Sequence, residues 1–139
     1  MNKIIRLETA NLSMCFRFWD FEFNIEKRKR IESDILSGNR SMFVYVYAGE
    51  YVAGVSLSVY DEGTYLISYL AVEERYQNKG CGTALIEFAC AYAKARNQKR
   101  ILLEVDFDNI RAKRLYQKLG FSAEEANPQN RIRMIKYLT

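Results

Sequence analysis

Hydrophobic residues dominate the middle of the chain in a pattern typical of β-strands. Met42 to Ala48 and Tyr51 to Tyr60 are rich in Val, Tyr and Phe, and Gly49-Glu50 between them fits a tight hairpin. Thr64 to Val72 is apolar at nearly every position, so we expect a central strand covered on both faces. Ile101 to Val105 predicts a further short, buried strand.

Apolar residues recur at helical spacing on both sides of this region. Before it, one stripe at i, i+3, i+4 and i+7 predicts a helix, and Glu26 to Ser37 predicts a second helix that stops at Gly38. After it, two more stripes predict helices, the last of them capped by Asp108 or Asn109 and ended by Gly120. The stripes are Leu12, Cys15, Phe16 and Trp19; Cys81, Leu85, Phe88, Ala89 and Tyr92; and Ala112, Leu115, Tyr116 and Leu119.

Short strands predicted at both ends complete the pattern. Ile4 to Leu7 is the first, and Phe121 to Glu125 with Arg131 to Tyr137 form a closing hairpin whose turn holds Pro128. The resulting order is β-α-α-β-β-β-α-β-α-β-β. It predicts one mixed α/β domain over residues 1–139.

Composition removes several classes of function. The chain has no histidine and three cysteines without a CxxC pair, which argues against a metal site of the zinc type and excludes a catalytic histidine. It lacks a long apolar run and a secretory signal, so we expect a cytoplasmic protein without membrane contact. The net charge of +4 suits a polyanionic cofactor as well as a nucleic-acid partner. The charge is scattered, and its densest run, Glu26 to Arg30, favours a solvated helix face over a nucleic-acid patch.

A loop with two glycines follows the strand that ends at Val72. In the run Gln77 to Gly82, Gly80 and Gly82 leave the backbone open to a ligand and Lys79 adds a positive charge. The helix that starts there has unpaired N–H groups and a partial positive charge at its first turn. These features predict a site for a phosphate or pyrophosphate.

Two other phosphate-binding loops can be tested against the same residues. The GxxxxGK[ST] pattern of a Walker A loop is absent. A dinucleotide fingerprint would require a third glycine at Leu85, and no suitable acidic residue follows a second strand. A turn that merely packs strand onto helix remains the structural alternative.

The loop Gln77-Asn78-Lys79-Gly80-Cys81-Gly82 resembles the Q/R-x-x-G-x-G/A loop of the GNAT-type N-acetyltransferases. Leu70-Ala71-Val72 resembles the strand that leads into it, and the segment from Asn109 to Phe121 resembles the second cofactor motif of that family. The resemblance implies a mostly antiparallel sheet of about six or seven strands with about four helices. It also implies that the sheet splays between the strand ending near Val72 and the strand Ile101 to Val105.

The resemblance implies acetyl-CoA as the cosubstrate and an acetyl transfer directly to a primary amine. The pyrophosphate would bind the loop backbone, and the pantetheine arm would pair with the strand before it. The expected acetyl-CoA-binding residues are Leu70, Ala71, Val72, Gln77, Asn78, Lys79, Gly80, Cys81, Gly82, Thr83, Asn109 and Tyr116.

The resemblance also implies catalytic roles. Tyr116 would give a proton to the departing thiolate, and a main-chain N–H between Leu70 and Val72, with that of Leu70 favoured, would stabilise the carbonyl oxygen of the thioester. Glu104 matches the general base of the ribosomal-protein N-terminal acetyltransferases, although in the wider family this glutamate is often structural. Glu62, Glu73 or a chain of waters are the alternatives. Cys81 lies on an apolar helix stripe, which favours packing over a nucleophilic role.

The sequence departs from the family at Glu74, where a proline is frequent, and at Asn78, where a glycine is frequent. Two other functions stay open: a non-catalytic module that senses acyl-CoA, and a nucleic-acid-binding domain suggested only by charge. The motifs do not distinguish a small-molecule amine from a peptide amine, or say whether longer acyl groups are used. A homodimer is compatible with the aromatic residues, but no feature requires one.

Overall fold

A seven-stranded mixed sheet organises the computed structural model, which describes residues 2–126 and 129–138. The strand order is β1-β2-β3-β4-β5-β7-β6, and every neighbouring pair is antiparallel except β4 and β5. The predicted mixed, mostly antiparallel sheet is therefore confirmed; the predicted turn at Pro128 lies outside the described residues. The strands are β1 (Lys3–Arg6), β2 (Arg40–Tyr47), β3 (Glu50–Asp61), β4 (Thr64–Val72), β5 (Arg100–Asp106), β6 (Ser122–Ala126) and β7 (Arg131–Tyr137).

The parallel pair β4 and β5 separates partway along its length. Its register runs only from Thr64 opposite Arg100 to Leu66 opposite Leu102, although β4 continues to Val72. The splay predicted at this place is confirmed. β4 is central, as predicted, but the expectation that both of its faces are covered is wrong, because most of its residues are only half-buried. The separation leaves the second half of β4 with one free edge.

Three α-helices flank the sheet in the described part of the chain: α1 (Ile25–Ser37), α2 (Cys81–Ala95) and α3 (Ile110–Lys118). Asn24 caps α1 by accepting a hydrogen bond from the N–H of Lys27 at 3.0 Å, and Asn109 caps α3 in the same way. Gly38 ends α1 with a left-handed φ of 85°. None of the described helices is both long and apolar enough to cross a bilayer.

The segment before α1 differs from the helix predicted on Leu12, Cys15, Phe16 and Trp19. It forms a 3₁₀ helix over Thr9–Cys15 and a second short one over Phe21–Phe23. Leu12 and Cys15 are buried three residues apart, a spacing that the three-residue turn of a 3₁₀ helix satisfies as well as an α-helix does. With the longer 3₁₀ helix counted, the described residues form the four flanking helices that were predicted.

Two apolar clusters lie on opposite faces of the sheet. One joins α2 and the inner side of α3 to residues such as Phe43, Ile101 and Met134. The other joins α1 and the N-terminal 3₁₀ segments to residues such as Met42 and Val44. The splay between β4 and β5 therefore opens between two packed layers.

Candidate active site

The loop between β4 and α2 presents free backbone donors at the start of a long helix. Gly80 precedes α2 with a φ of 87°, and its carbonyl accepts the first helical hydrogen bond, from the N–H of Ala84, at 3.0 Å. No side chain among the described residues caps this terminus. The N–H groups of Cys81, Gly82 and Thr83 precede that first bond, so they can donate to an anion.

Both departures from the family pattern fit the local backbone. Asn78 has a φ of 62°, a left-handed conformation that asparagine tolerates better than most residues, so it can stand where a glycine is frequent. Glu74 is the first residue of the 3₁₀ helix Glu74–Tyr76, a position that suits proline but also suits an acid. The loop therefore adopts this backbone without either family residue.

A cavity of about 630 Å³ runs between this loop, β4 and α3. All the residues expected to bind acetyl-CoA line it except Lys79, whose ammonium lies 5.9 Å from the ring centroid of Tyr76. Among the described atoms, a Cβ added to Gly82 would meet only the Cγ2 atom of Val72, at 3.8 Å, so packing does not require glycine there and the missing side chain keeps the cavity wall open. The size, the open backbone and the donor set fit a CoA-type molecule.

Tyr76 and Arg111 also line this cavity and were not predicted. Arg111, in the first turn of α3, donates a hydrogen bond to the Oδ1 atom of Asn78, so it links the helix to the loop across the cavity. A basic residue two positions after the predicted cap Asn109 was the available signal. Tyr76 packs on Tyr47 with ring centroids 5.3 Å apart, a contact that the sequence does not show.

A second cavity of about 500 Å³ lies where β4 and β5 separate. It is lined by Glu104 and Tyr69, among others, and it shares four wall residues with the first cavity. The shared residues are Leu70, Asn109, Ala112 and Tyr116. The two cavities therefore meet at the residues expected to stabilise the carbonyl oxygen and to protonate the thiolate.

A β-bulge shapes β4 at this meeting point. Gly54 pairs with Ala71 and Ser56 pairs with Ser68, so Tyr69 and Leu70 together oppose a single residue of β3. Tyr69 has a φ of 51°, in the left-handed region, which costs a non-glycine residue about 1 kcal/mol. The nearly continuous apolar pattern of β4 gave no sign of this bulge.

The side chain of Tyr116 spans the core and the cavities. Its ring packs against Phe121, with centroids 6.1 Å apart, and burial raises the pKa of its hydroxyl above the usual value. A tyrosine with a raised pKa keeps its proton at neutral pH, which a proton donor requires. The sequence-based interpretation, in which Tyr116 both packs and faces the site, agrees with this placement.

Among the three carboxylates considered as bases, only Glu104 shares a cavity wall with Tyr116 in the described part of the chain. The backbone carbonyl of Glu104 accepts a hydrogen bond from Arg131 at 3.1 Å. Glu73 instead accepts one from the side chain of Arg75 at 2.8 Å, and Glu62 lies exposed in the turn before β4. The geometry therefore favours Glu104.

Cys81 is buried at the start of α2. Burial raises the pKa of its thiol, and the positive charge of Lys79 offsets only part of that effect. Since the thiolate is the reactive form, this environment supports a packing role.

A family model of the acetyltransferase (GNAT) family matches residues 7–121, and the chain belongs to this family. Membership supports an acyltransferase activity. A segment of 81 residues is 35% identical to the mycothiol acetyltransferase of Beutenbergia cavernae, covering 58% of this chain and 27% of that protein. A segment of 56 residues is 38% identical to the uncharacterized N-acetyltransferase YobR of Bacillus subtilis, covering 40% of this chain and 23% of that protein. The match thus spans about a quarter of each relative.

Solved structures share the whole fold. The ribosomal-protein-S18-alanine N-acetyltransferase of Escherichia coli superposes with a TM-score of 0.81 at 24% identity, covering 100% of this chain and 95% of that one. The PaiA N-acetyltransferase of Thermoplasma acidophilum, solved in complex with coenzyme A, superposes with a TM-score of 0.80 at 16% identity, covering 99% of both chains. At these identities the similarity establishes the fold.

Proposed function

We propose that this protein is an acetyl-CoA-dependent N-acetyltransferase that moves an acetyl group directly to a primary amine. The observation that carries the proposal is the meeting of two cavities at Leu70 and Tyr116. One cavity has the open backbone of an anion-binding loop and the other has a carboxylate, so donor and acceptor can approach from opposite sides. Family membership supports the same class of reaction.

Each residue then has a defined task. The N–H groups of Cys81 to Thr83 hold the pyrophosphate, and the free edge of β4 from Leu70 to Val72 pairs with the pantetheine amides as an added strand would. Acetyl-CoA supplies the acetyl group already activated as a thioester. The N–H of Leu70 donates to the carbonyl oxygen as it becomes negative, and the hydroxyl of Tyr116 gives its proton to the departing sulfur. Glu104 accepts a proton from the attacking amine.

The acceptor belongs to one of two classes, small-molecule amines or peptide amines. The S18-alanine N-acetyltransferase that shares the fold acts, by its name, on a protein, whereas the mycothiol enzyme acts on a small molecule.

We further propose that residues 1–139 form one acetyltransferase domain, since the two apolar clusters pack on opposite faces of the same sheet. Three free cysteines agree with a cytoplasmic location.

The test is a CoA-release assay with acetyl-CoA across polyamines, aminoglycosides, amino acids and peptide N-termini, with mass spectrometry of the acceptor. We expect at least one amine class to gain an acetyl group with the wild-type protein, and Tyr116→Phe to lose most of that activity. Tight binding of acetyl-CoA without transfer to any amine would contradict the proposal and indicate a sensor module instead. A melting temperature raised by an oligonucleotide but not by acetyl-CoA would contradict both.

A further inference from the structure

The side chain of Trp19 lies over one face of the sheet and contacts the β4 bulge. Its indole N–H donates a hydrogen bond of 2.8 Å to the backbone carbonyl of Tyr69, fifty positions further along the chain. Trp19 is 7% exposed, so the donor side of this bond is buried. The acceptor residue, Tyr69, has the left-handed φ of 51° described above. A strained residue beside a cavity, held by a remote side chain, points to a functional constraint.

The sheet makes room for this indole at one glycine. A Cβ added to Gly54 would lie 2.4 Å from the Cη2 atom of Trp19 and 2.6 Å from its Cζ2 atom, so no larger residue fits without displacing the ring. Gly54 pairs with Ala71, directly beside the bulge. The rings of Phe18 and Phe21 pack on the indole with centroids 4.8 and 5.1 Å away. Gly54 and the stacked ring of Phe21 therefore hold the indole and its N–H in one place, whereas Phe18 adds only an edge contact.

The carbonyl of Tyr69 and the N–H of Leu70 belong to the same peptide group. A trans peptide is planar, and its C=O and N–H point in opposite directions, so an indole that fixes the carbonyl also fixes the N–H. In the bulge Tyr69 and Leu70 together oppose one residue of β3, so the regular register of the strand pair is interrupted at this peptide plane.

We infer that Trp19 is a positioning residue that orients the Leu70 N–H toward the carbonyl oxygen of the bound acetyl group. This inference rests on the proposed function, in which that N–H stabilises the developing negative charge. It assigns a catalytic consequence to the turn between the two N-terminal 3₁₀ helices, which carries no cofactor motif.

The test compares Trp19→Phe, which removes the donor and keeps a ring, with Phe18→Leu, which removes the edge contact on the indole but keeps the donor, Gly54 and the stacked Phe21. We expect Trp19→Phe to lower kcat about 10-fold, since a misdirected donor loses part of an oxyanion-type interaction, with KM for acetyl-CoA changed less than about 2-fold. Phe18→Leu should leave kcat within about 2-fold of the wild type. Gly54→Ala keeps Trp19 but pushes its ring out of place, so this variant should reproduce the loss in kcat.

A second readout needs no acceptor amine. In ¹⁵N-leucine-labelled protein, the amide resonance of Leu70 should differ between the CoA and acetyl-CoA complexes, and Trp19→Phe should remove most of that difference. Because Trp19 is the only tryptophan, one indole N–H resonance confirms that the bond persists in Phe18→Leu. The inference would be overturned if Trp19→Phe left kcat or the Leu70 resonance difference unchanged. It would also be overturned if Phe18→Leu lost as much kcat, or if the Leu70 resonance of the wild type did not differ between the two complexes. Amine acetylation by the wild type decides the proposed function separately.

Discussion

Replacing Gly80 by alanine should lower both the stability of the protein and its affinity for acetyl-CoA, and a matched control variant tells the two effects apart. Gly80 has a φ of 87°, and no described atom lies within 4 Å of an added Cβ, so the substitution introduces backbone strain without a steric clash. Strain of this kind costs about 1 kcal/mol, or roughly 3–5 °C in Tm for a chain of this size. Gly80 also lines the cavity of about 630 Å³, called the donor cavity because it would hold acetyl-CoA, so the new methyl group stands beside its wall.

The matched control is Gly38→Ala at the end of α1. Gly38 has a φ of 85° and likewise no described atom within 4 Å of an added Cβ, but it does not line the donor cavity. Urea unfolding without ligand should show the same loss of about 1 kcal/mol in both variants.

Calorimetric titration with acetyl-CoA should then distinguish the two. Losing one hydrogen bond to a charged phosphate costs about 1.5–3 kcal/mol, which is roughly a 10- to 100-fold rise in Kd, and we expect this rise for Gly80→Ala alone. Equal Kd values in both variants and the wild type would refute the assignment of the pyrophosphate to this loop.

Three further predictions concern single side chains. Tyr116→Phe should lower kcat about 100-fold with Kd for acetyl-CoA nearly unchanged, and a fully active Phe variant would exclude Tyr116 as the proton donor. Because burial raises the pKa of Tyr116, any loss of wild-type activity from its ionisation should appear only above about pH 10. Steady-state kinetics across pH with a common acceptor measure both effects. Cys81→Ala should retain transfer within a few-fold, and a covalent acetyl-enzyme seen by mass spectrometry of the wild type would contradict direct transfer. Burial raises the pKa of Cys15 from 9.0 to about 12, so between these values the thiol ionises only in the unfolded chain and stability falls as pH rises. Between about pH 8 and 10 the free energy of unfolding of the wild type, measured with urea, should fall by about 1.4 kcal/mol more than that of Cys15→Ala. Equal decreases in both proteins would show that another group is responsible.

Much of the fold could be predicted because local patterns and tertiary packing agree. Thr64–Val72 has the predicted bounds, and Gly38 and Gly120 end their helices in left-handed conformations, as the residue type indicates. The N-terminal segment was harder, since the burial of Leu12 and Cys15 suits either kind of helix and its aromatic residues pack on a distant strand. Its true conformation depends on contacts that sequence spacing does not encode.

The candidate site divides in the same way. The loop at Gly80 and the cap at Asn109 could be predicted because glycine and asparagine have local conformational reasons to stand there. The bulge at Tyr69 could not, because a tyrosine in the left-handed region contradicts its own preference and is stabilised by Trp19 from far along the chain. Arg111 escaped prediction for a similar reason, since its partner Asn78 lies on another element.

A crystal structure of the acetyl-CoA complex is the most direct test of this account. It should show the pyrophosphate on the N–H groups of Cys81 to Thr83, the pantetheine along the free edge of β4, and the sulfur within hydrogen-bonding distance of the Tyr116 hydroxyl. The Leu70 N–H should face the acetyl oxygen. A complex with the pyrophosphate away from this loop, or with the acetyl group outside the junction of the two cavities, would contradict it.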